Sequence, residues 1–144
     1  VGSIIDGLTA DKDPSKSWRL RKLDYIMRYY DERVNGQCYL AKLCDMYSNL
    51  TSFMNTFLRT GECTAKADTL TSYVVLTGVC LDKLQKFGTL EQLRVARANM
   101  GAILKRVNDL GMTSVNMQPV IGDTPDGWIE YLKTEWSIDD TYFS

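Results

Sequence analysis

Apolar residues recur at every third or fourth position through four long stretches of this chain, and glycines stand at the ends of those stretches. Residues three and four apart share one face of an α-helix, so each stretch predicts a helix with one apolar side. From Ser17 to Val34 the recurring residues are Leu20, Leu23, Met27, Tyr30 and Val34, with Gly36 as the stop. A second helix over residues 37–58 carries Leu40, Leu43, Cys44, Tyr47, Leu50, Met54, Phe57 and Leu58, and Gly61 ends it. The third, residues 68–87, keeps Leu70, Val74, Thr77, Leu81 and Leu84 in one register before Gly88. Its run from Tyr73 to Leu81 is rich enough in β-branched residues for a buried strand, but the register of the flanks selects a helix. Being apolar on all sides, that helix belongs at the centre of its domain.

Thr89-Leu90-Glu91-Gln92 forms a capping box, in which threonine and glutamine side chains satisfy free backbone N–H groups at a helix start. Leu93, Ala96, Met100, Ile103, Leu104, Val107 and Leu110 line one face of this fourth helix, and Gly111 ends it. After a loop through Met117, Pro119 and Gly122, the segment Asp123-Thr124-Pro125-Asp126 opens a fifth, shorter helix bearing Trp128, Ile129, Leu132 and Trp136. Ser137-Ile138-Asp139-Asp140 offers a cap for one more turn. All three prolines fall outside the periodic stretches, and the ten glycines read as helix terminators. The expected fold is therefore all-α: a single-domain helical bundle of four long helices plus a shorter C-terminal helix, around a central apolar third helix. Residues 1–16 read as an N-terminal arm or loop, and residues 17–144 as the one domain.

The chain contains no histidine, which removes the commonest general base and metal ligand and every Ser-His or Cys-His pair. Cys38, Cys44, Cys63 and Cys80 stand apart, without ligand-like spacing, and read as reduced packing residues. If they did meet an oxidant, antiparallel second and third helices would bring Cys80 level with Cys44 or Tyr47. The aspartate pairs (Asp11 with Asp13, Asp123 with Asp126, Asp139 with Asp140) sit beside turn signals, where aspartate caps backbone. No glycine-rich phosphate loop occurs. We therefore expect no catalytic residues, no cofactor and no metal, and not an enzyme. No apolar run reaches the ~18–20 residues of a membrane span. Expectation falls on a soluble, intracellular chain.

A net charge of −1 conceals an uneven distribution. From Ile121 onward Asp123, Asp126, Glu130, Glu135, Asp139 and Asp140 outweigh Lys133, whereas Lys83, Lys86, Arg94, Arg97, Lys105 and Arg106 outweigh Glu91. Such polarity suits head-to-tail association, docking of the acidic end within the chain, or two different partners. Three surfaces become candidates for contact. On the first helix Trp18, Lys22, Tyr25, Tyr29 and Arg33 form an aromatic and basic stripe, suited to a protein hot spot unless Trp128 and Trp136 cover it. On the second helix Ser48, Asn49, Ser52, Asn55 and Thr56 make a face poor in charge, as interface cores are. On the fourth, Arg94, Arg97, Lys105 and Arg106 offer cations to phosphates.

The segment Leu93–Thr113, a helix ending Asp109-Leu110-Gly111-Met112-Thr113, resembles the C-terminal helix of some phage small terminase subunits. That resemblance implies a helical, ring-forming protein that handles DNA. Small helical viral proteins that bind host factors share the same architecture, at the level of fold alone. The leading expectation is a non-enzymatic module for self-assembly or for binding a protein partner, and the alternative is a nucleic-acid-binding assembly protein.

Overall fold

The computed structural model describes residues 17–31, 36–121 and 124–138, which form five helices and no strand. These are α1 (Trp18–Tyr30), α2 (Gly36–Thr60), α3 (Ala67–Phe87), α4 (Leu90–Asp109) and α5 (Pro125–Glu135). The all-α bundle and its central third helix are as the periodicity predicts. The 1–16 arm and residues Arg33, Val34, Asp123, Asp139 and Asp140 lie outside the described residues. Gly36 opens α2 instead of stopping α1, which ends at Tyr30 with the Asp31 N–H bonded to the Met27 carbonyl at 2.9 Å.

α3 touches each of the other four helices. Every residue from Leu70 to Cys80 is buried, Thr71, Ser72 and Thr77 included. A buried hydroxyl without a partner is costly, so these three bond back into their own helix. Thr71 donates to the Ala67 carbonyl at 3.1 Å, Ser72 to Thr69 at 2.7 Å and Thr77 to Tyr73 at 2.7 Å. With these hydroxyls closed off internally, the Leu70–Cys80 stretch of α3 is sheltered on every side, while Gln85, Lys86 and Phe87 at its C-terminal end are exposed.

The helix ends follow the sequence signals. Thr89 and Gln92 exchange two hydrogen bonds, Gln92 N–H to Thr89 Oγ1 at 3.1 Å and Thr89 N–H to Gln92 Oε1 at 2.9 Å. Thr124 caps α5 by accepting from the Gly127 N–H, and Pro125 takes the first helical position. Gly61 and Gly111, just past α2 and α4, have φ of 77° and 67°, a left-handed conformation that glycine adopts without strain.

α1 is anchored across the bundle by Arg19, whose Nε and Nη2 reach the Asp68 carboxylate of α3 at 2.8 and 3.1 Å. Tyr30 donates from its hydroxyl to Asp126 of α5, and the Lys83 ammonium lies 5.3 Å from the Tyr30 ring centre. Part of the acidic C-terminal segment thus docks within the chain. α5 itself seats on α3 at Gly78, which is not a terminator but a packing site. A Cβ built on Gly78 would fall 2.0 Å from Cε2 of Trp128, so the indole occupies the space a side chain would need.

Two glycines inside helices therefore predict opposite outcomes. Gly101 has open space around it, and Gly101→Ala should stabilise the chain by about 1 kcal/mol through helix propensity. Gly78→Ala should destabilise it by about 3 kcal/mol, because the new methyl overlaps Trp128. Urea denaturation measures both. The penalty at Gly78 should shrink in a Trp128→Ala background, since the two changes share one contact.

Candidate functional site

α2 carries more apolar residues than its neighbours cover. The interior takes Cys38, Tyr39, Leu43, Met46, Leu50 and Met54. Leu40 and Phe57 are only half buried, Cys44 is exposed, Tyr47 is 43% exposed and Leu58 is 58% exposed. The stripe expected from spacing is therefore split. Its Leu43, Leu50 and Met54 side goes inward, while the Leu40, Cys44 and Tyr47 side stands over a groove between α2 and α4. Met46, absent from the expected stripe, is fully buried.

That groove measures about 440 Å³. Its α2 wall is Leu40, Leu43, Cys44 and Tyr47, and its α4 wall includes Val95, Ala96, Asn99 and Met100. Val95 is 41% exposed, and Leu90, at the start of α4, is almost fully exposed. Gln92 and Thr89 at one end are already engaged with each other in the capping box. Glu91 lies at the same end, paired with Arg94, and the exposed surface of the walls is otherwise mainly aliphatic and aromatic, the usual constitution of a cleft that receives apolar surface.

Along α2 beside this groove, Ser48, Ser52 and Asn55 are exposed and Thr56 is half buried. Asn49 turns the other way, donating from Nδ2 to the Tyr73 hydroxyl at 2.9 Å. It belongs to the α2–α3 contact and drops out of the uncharged outer face.

Of the aromatic and basic stripe along α1, Trp18 stands at the surface, but Tyr25 and Tyr29 do not, and their candidacy as partner contacts is corrected. Tyr25 is 2% exposed and Tyr29 has no exposed surface, so neither is available to a partner. Their hydroxyls lie 3.2 Å apart and share a hydrogen bond, which lets two phenols enter the core together. Tyr29 also meets Tyr39 edge-on at 6.2 Å. Burial and the Tyr25 bond push the Tyr29 phenol far above the usual tyrosine range. Of the two covering tryptophans expected, Trp136 does reach α1, meeting the Trp18 ring edge-on at 5.7 Å and accepting at its carbonyl from Arg19 at 3.3 Å. Trp128 packs on α3 instead. Trp18 remains 41% exposed.

Burying Tyr25 adds a lysine of another helix to the cations that helical spacing already sets beside it. Lys22 and Arg28 of α1 and Lys42 of α2 all approach its ring, with Lys22 Nζ at 4.8 Å, Lys42 Nζ at 5.1 Å and Arg28 Cζ at 5.6 Å from the centre. Aromatic faces attract cations, and this one holds three. Lys42 is nearly buried and pairs with Asp45 at 3.3 Å. Desolvation, and then the neighbouring Lys42 charge, lower the Lys22 pKa to about 8.

The four cations of α4 are not equally available. Arg94 pairs with Glu91 at 2.6 Å and Lys105 with Asp109 at 2.5 Å. Arg97 turns instead toward a cleft it shares with Gly78, Lys86 and Trp128. Arg106, exposed like the others, stands about a quarter-turn away from the line of Arg94, Arg97 and Lys105.

All four cysteines are free thiols. Cys80 is fully buried and Cys44 is exposed, and burial raises the Cys80 and Cys38 thiols. Among the described residues no group of side chains has the makings of a metal site, and no helix is long and apolar enough to cross a membrane.

No protein-family model matches the chain, and neither characterised proteins nor solved structures yield a match.

The low Lys22 pKa couples folding to pH. Between about pH 8 and its ordinary value of 10.5, the unfolded chain binds the Lys22 proton more tightly than the folded chain does. Stability from this group therefore climbs as pH rises through that window. Lys22→Met should remove the climb and, near pH 7, stabilise the protein by about 1–2 kcal/mol by deleting a poorly solvated charge. Urea midpoints of both proteins from pH 7 to 10.5 give the difference.

Proposed function

We propose that this chain is a non-enzymatic helical interaction module that self-associates through the groove between α2 and α4. The observation carrying this reading is the apolar surplus of α2. Tyr47 and Val95, each about two-fifths exposed, stand on opposite walls of an apolar groove that no helix of the described chain fills. Apolar surface kept in contiguous form on a chain this small marks a contact site. The strip of Ser48, Ser52 and Asn55 alongside has the low charge of an interface core, and the one charged residue of the groove lining, Glu91, is already paired with Arg94. A second copy supplies the same aromatic and aliphatic ridge, and two-fold pairing of identical patches is the commonest way such a surface closes.

The nucleic-acid alternative has less behind it. Two of its four cations, Arg94 and Lys105, already have carboxylate partners on their own helix. Phosphate binding would have to break those pairs before gaining from counterion release.

Light scattering after size exclusion tests the proposal across a wide range of concentration, at low and high salt. The expected mass is a multiple of 16.4 kDa and changes little with salt, as apolar burial dictates. Val95→Lys combined with Tyr47→Ser should return the mass to that of one chain while leaving helicity by circular dichroism unchanged. A wild-type mass of 16.4 kDa under every condition overturns self-association through this groove.

A further inference from the structure

A second feature, independent of the groove, lies at the α1–α2 junction. The Lys22 side chain is half buried, with its Nζ 4.8 Å from the Tyr25 ring centre and 6.0 Å from that of Trp18. Lys42 brings a second ammonium to the same ring from α2. Asp45 neutralises Lys42 at 3.3 Å, and among the described residues no carboxylate pairs with Lys22. Other exposed lysines differ. Lys105, for example, is 64% exposed and held by Asp109.

We propose that Lys22 is an acyl-acceptor site, taking small activated acyl groups of the thioester class onto its Nζ where the fold sets it against Tyr25 and beside the Lys42 ammonium. The neutral amine attacks the thioester carbonyl carbon, a C–N bond forms, and the C–S bond breaks. The thiolate departs, takes up the proton released by the nitrogen, and leaves as free thiol. The product is an uncharged amide, so the reaction ends both the repulsion from Lys42 and the desolvation cost of the ammonium, at the loss of its attraction to the Tyr25 ring. The acyl methyl gains the Trp18 and Tyr25 faces as apolar contacts. A lysine next to another cation in a desolvated setting is the usual form of an activated amine nucleophile.

The charged and titratable groups around Lys22 set the size of the effect. They are Tyr25 and Arg28 on its own helix, Lys42 and Asp45 on α2, and Tyr73 of α3 behind Lys42. With a pKa of about 8, Lys22 is neutral in roughly a quarter of molecules at pH 7.5, against about one in a thousand for an ordinary lysine. Lower basicity weakens each attack, as it does for thiolates, which leaves a net advantage of about tenfold.

The test is acetylation of the full chain by S-acetyl-N-acetylcysteamine at about pH 7.5, with site-by-site rates from peptide mass spectrometry. Lys22 should lead Lys66 and Lys105 about tenfold, with a pH–rate midpoint near 8, and the lead should vanish in urea. Asp45→Asn, a change at an exposed residue, removes the one nearby carboxylate and should speed Lys22 further. A Lys22 rate no greater than that of Lys66 in the folded chain overturns the proposal, as does a lead that persists after unfolding.

Discussion

Everything in this bundle depends on one helix that water cannot be allowed to touch. α3 hides its hydroxyls in its own backbone and leaves apolar surface on every side of its Leu70–Cys80 stretch, so its stability comes from being sheathed. α1, α2, α4 and α5 supply the sheath, and each is amphipathic because it has one wet side. α1 and α5 each lie on α3 rather than along the helix next to them in sequence, and α5 completes the enclosure by laying Trp128 over the glycine notch of α3.

Sheathing a cylinder with four helices leaves seams, and the chemistry of the molecule gathers there. At the α2–α4 seam the helices touch and still leave aliphatic and aromatic side chains standing over a groove. At the α1–α2 seam they close over a tyrosine and draw long basic side chains onto it. Lysine stems lie along apolar surface with their heads at its edge, so a seam lined by aromatics naturally collects them. One seam is thus lined by apolar side chains, the other by cations.

The architecture was legible because its signals were local. Glycines past α2 and α4, the Thr89 capping box, and Pro125 at a helix start each state a boundary within a few residues. What lay outside local reach was how far each helix is rotated about its own axis. Tyr25 and Tyr29 share a helical face with Trp18 and Lys22, and spacing alone cannot say which of them a neighbour covers. A helix wedged between two neighbours buries two faces, and the paired phenols remove the penalty that would keep tyrosines at the surface. On α2 the spacing identified apolar residues correctly but could not say which of them α4 would leave uncovered. Gly78 was misread for the same reason, since only the tertiary partner distinguishes a notch from a stop. The cation cluster depends on a rotation of the same kind. It exists because Tyr25 turned inward and carried Lys22 toward a lysine on another helix.

The contact of Arg19 with the Trp136 carbonyl joins residues 117 positions apart. Together with the edge-on meeting of Trp18 and Trp136, it brings the two ends of the described chain to one side of the bundle. That corner closes a long loop, whose entropic cost the assembled interior reduces. It is also where tension applied at both ends would first be felt. The two tryptophans and the arginine form a clasp loaded directly by such a pull, while α3 stays shielded behind it until the clasp parts.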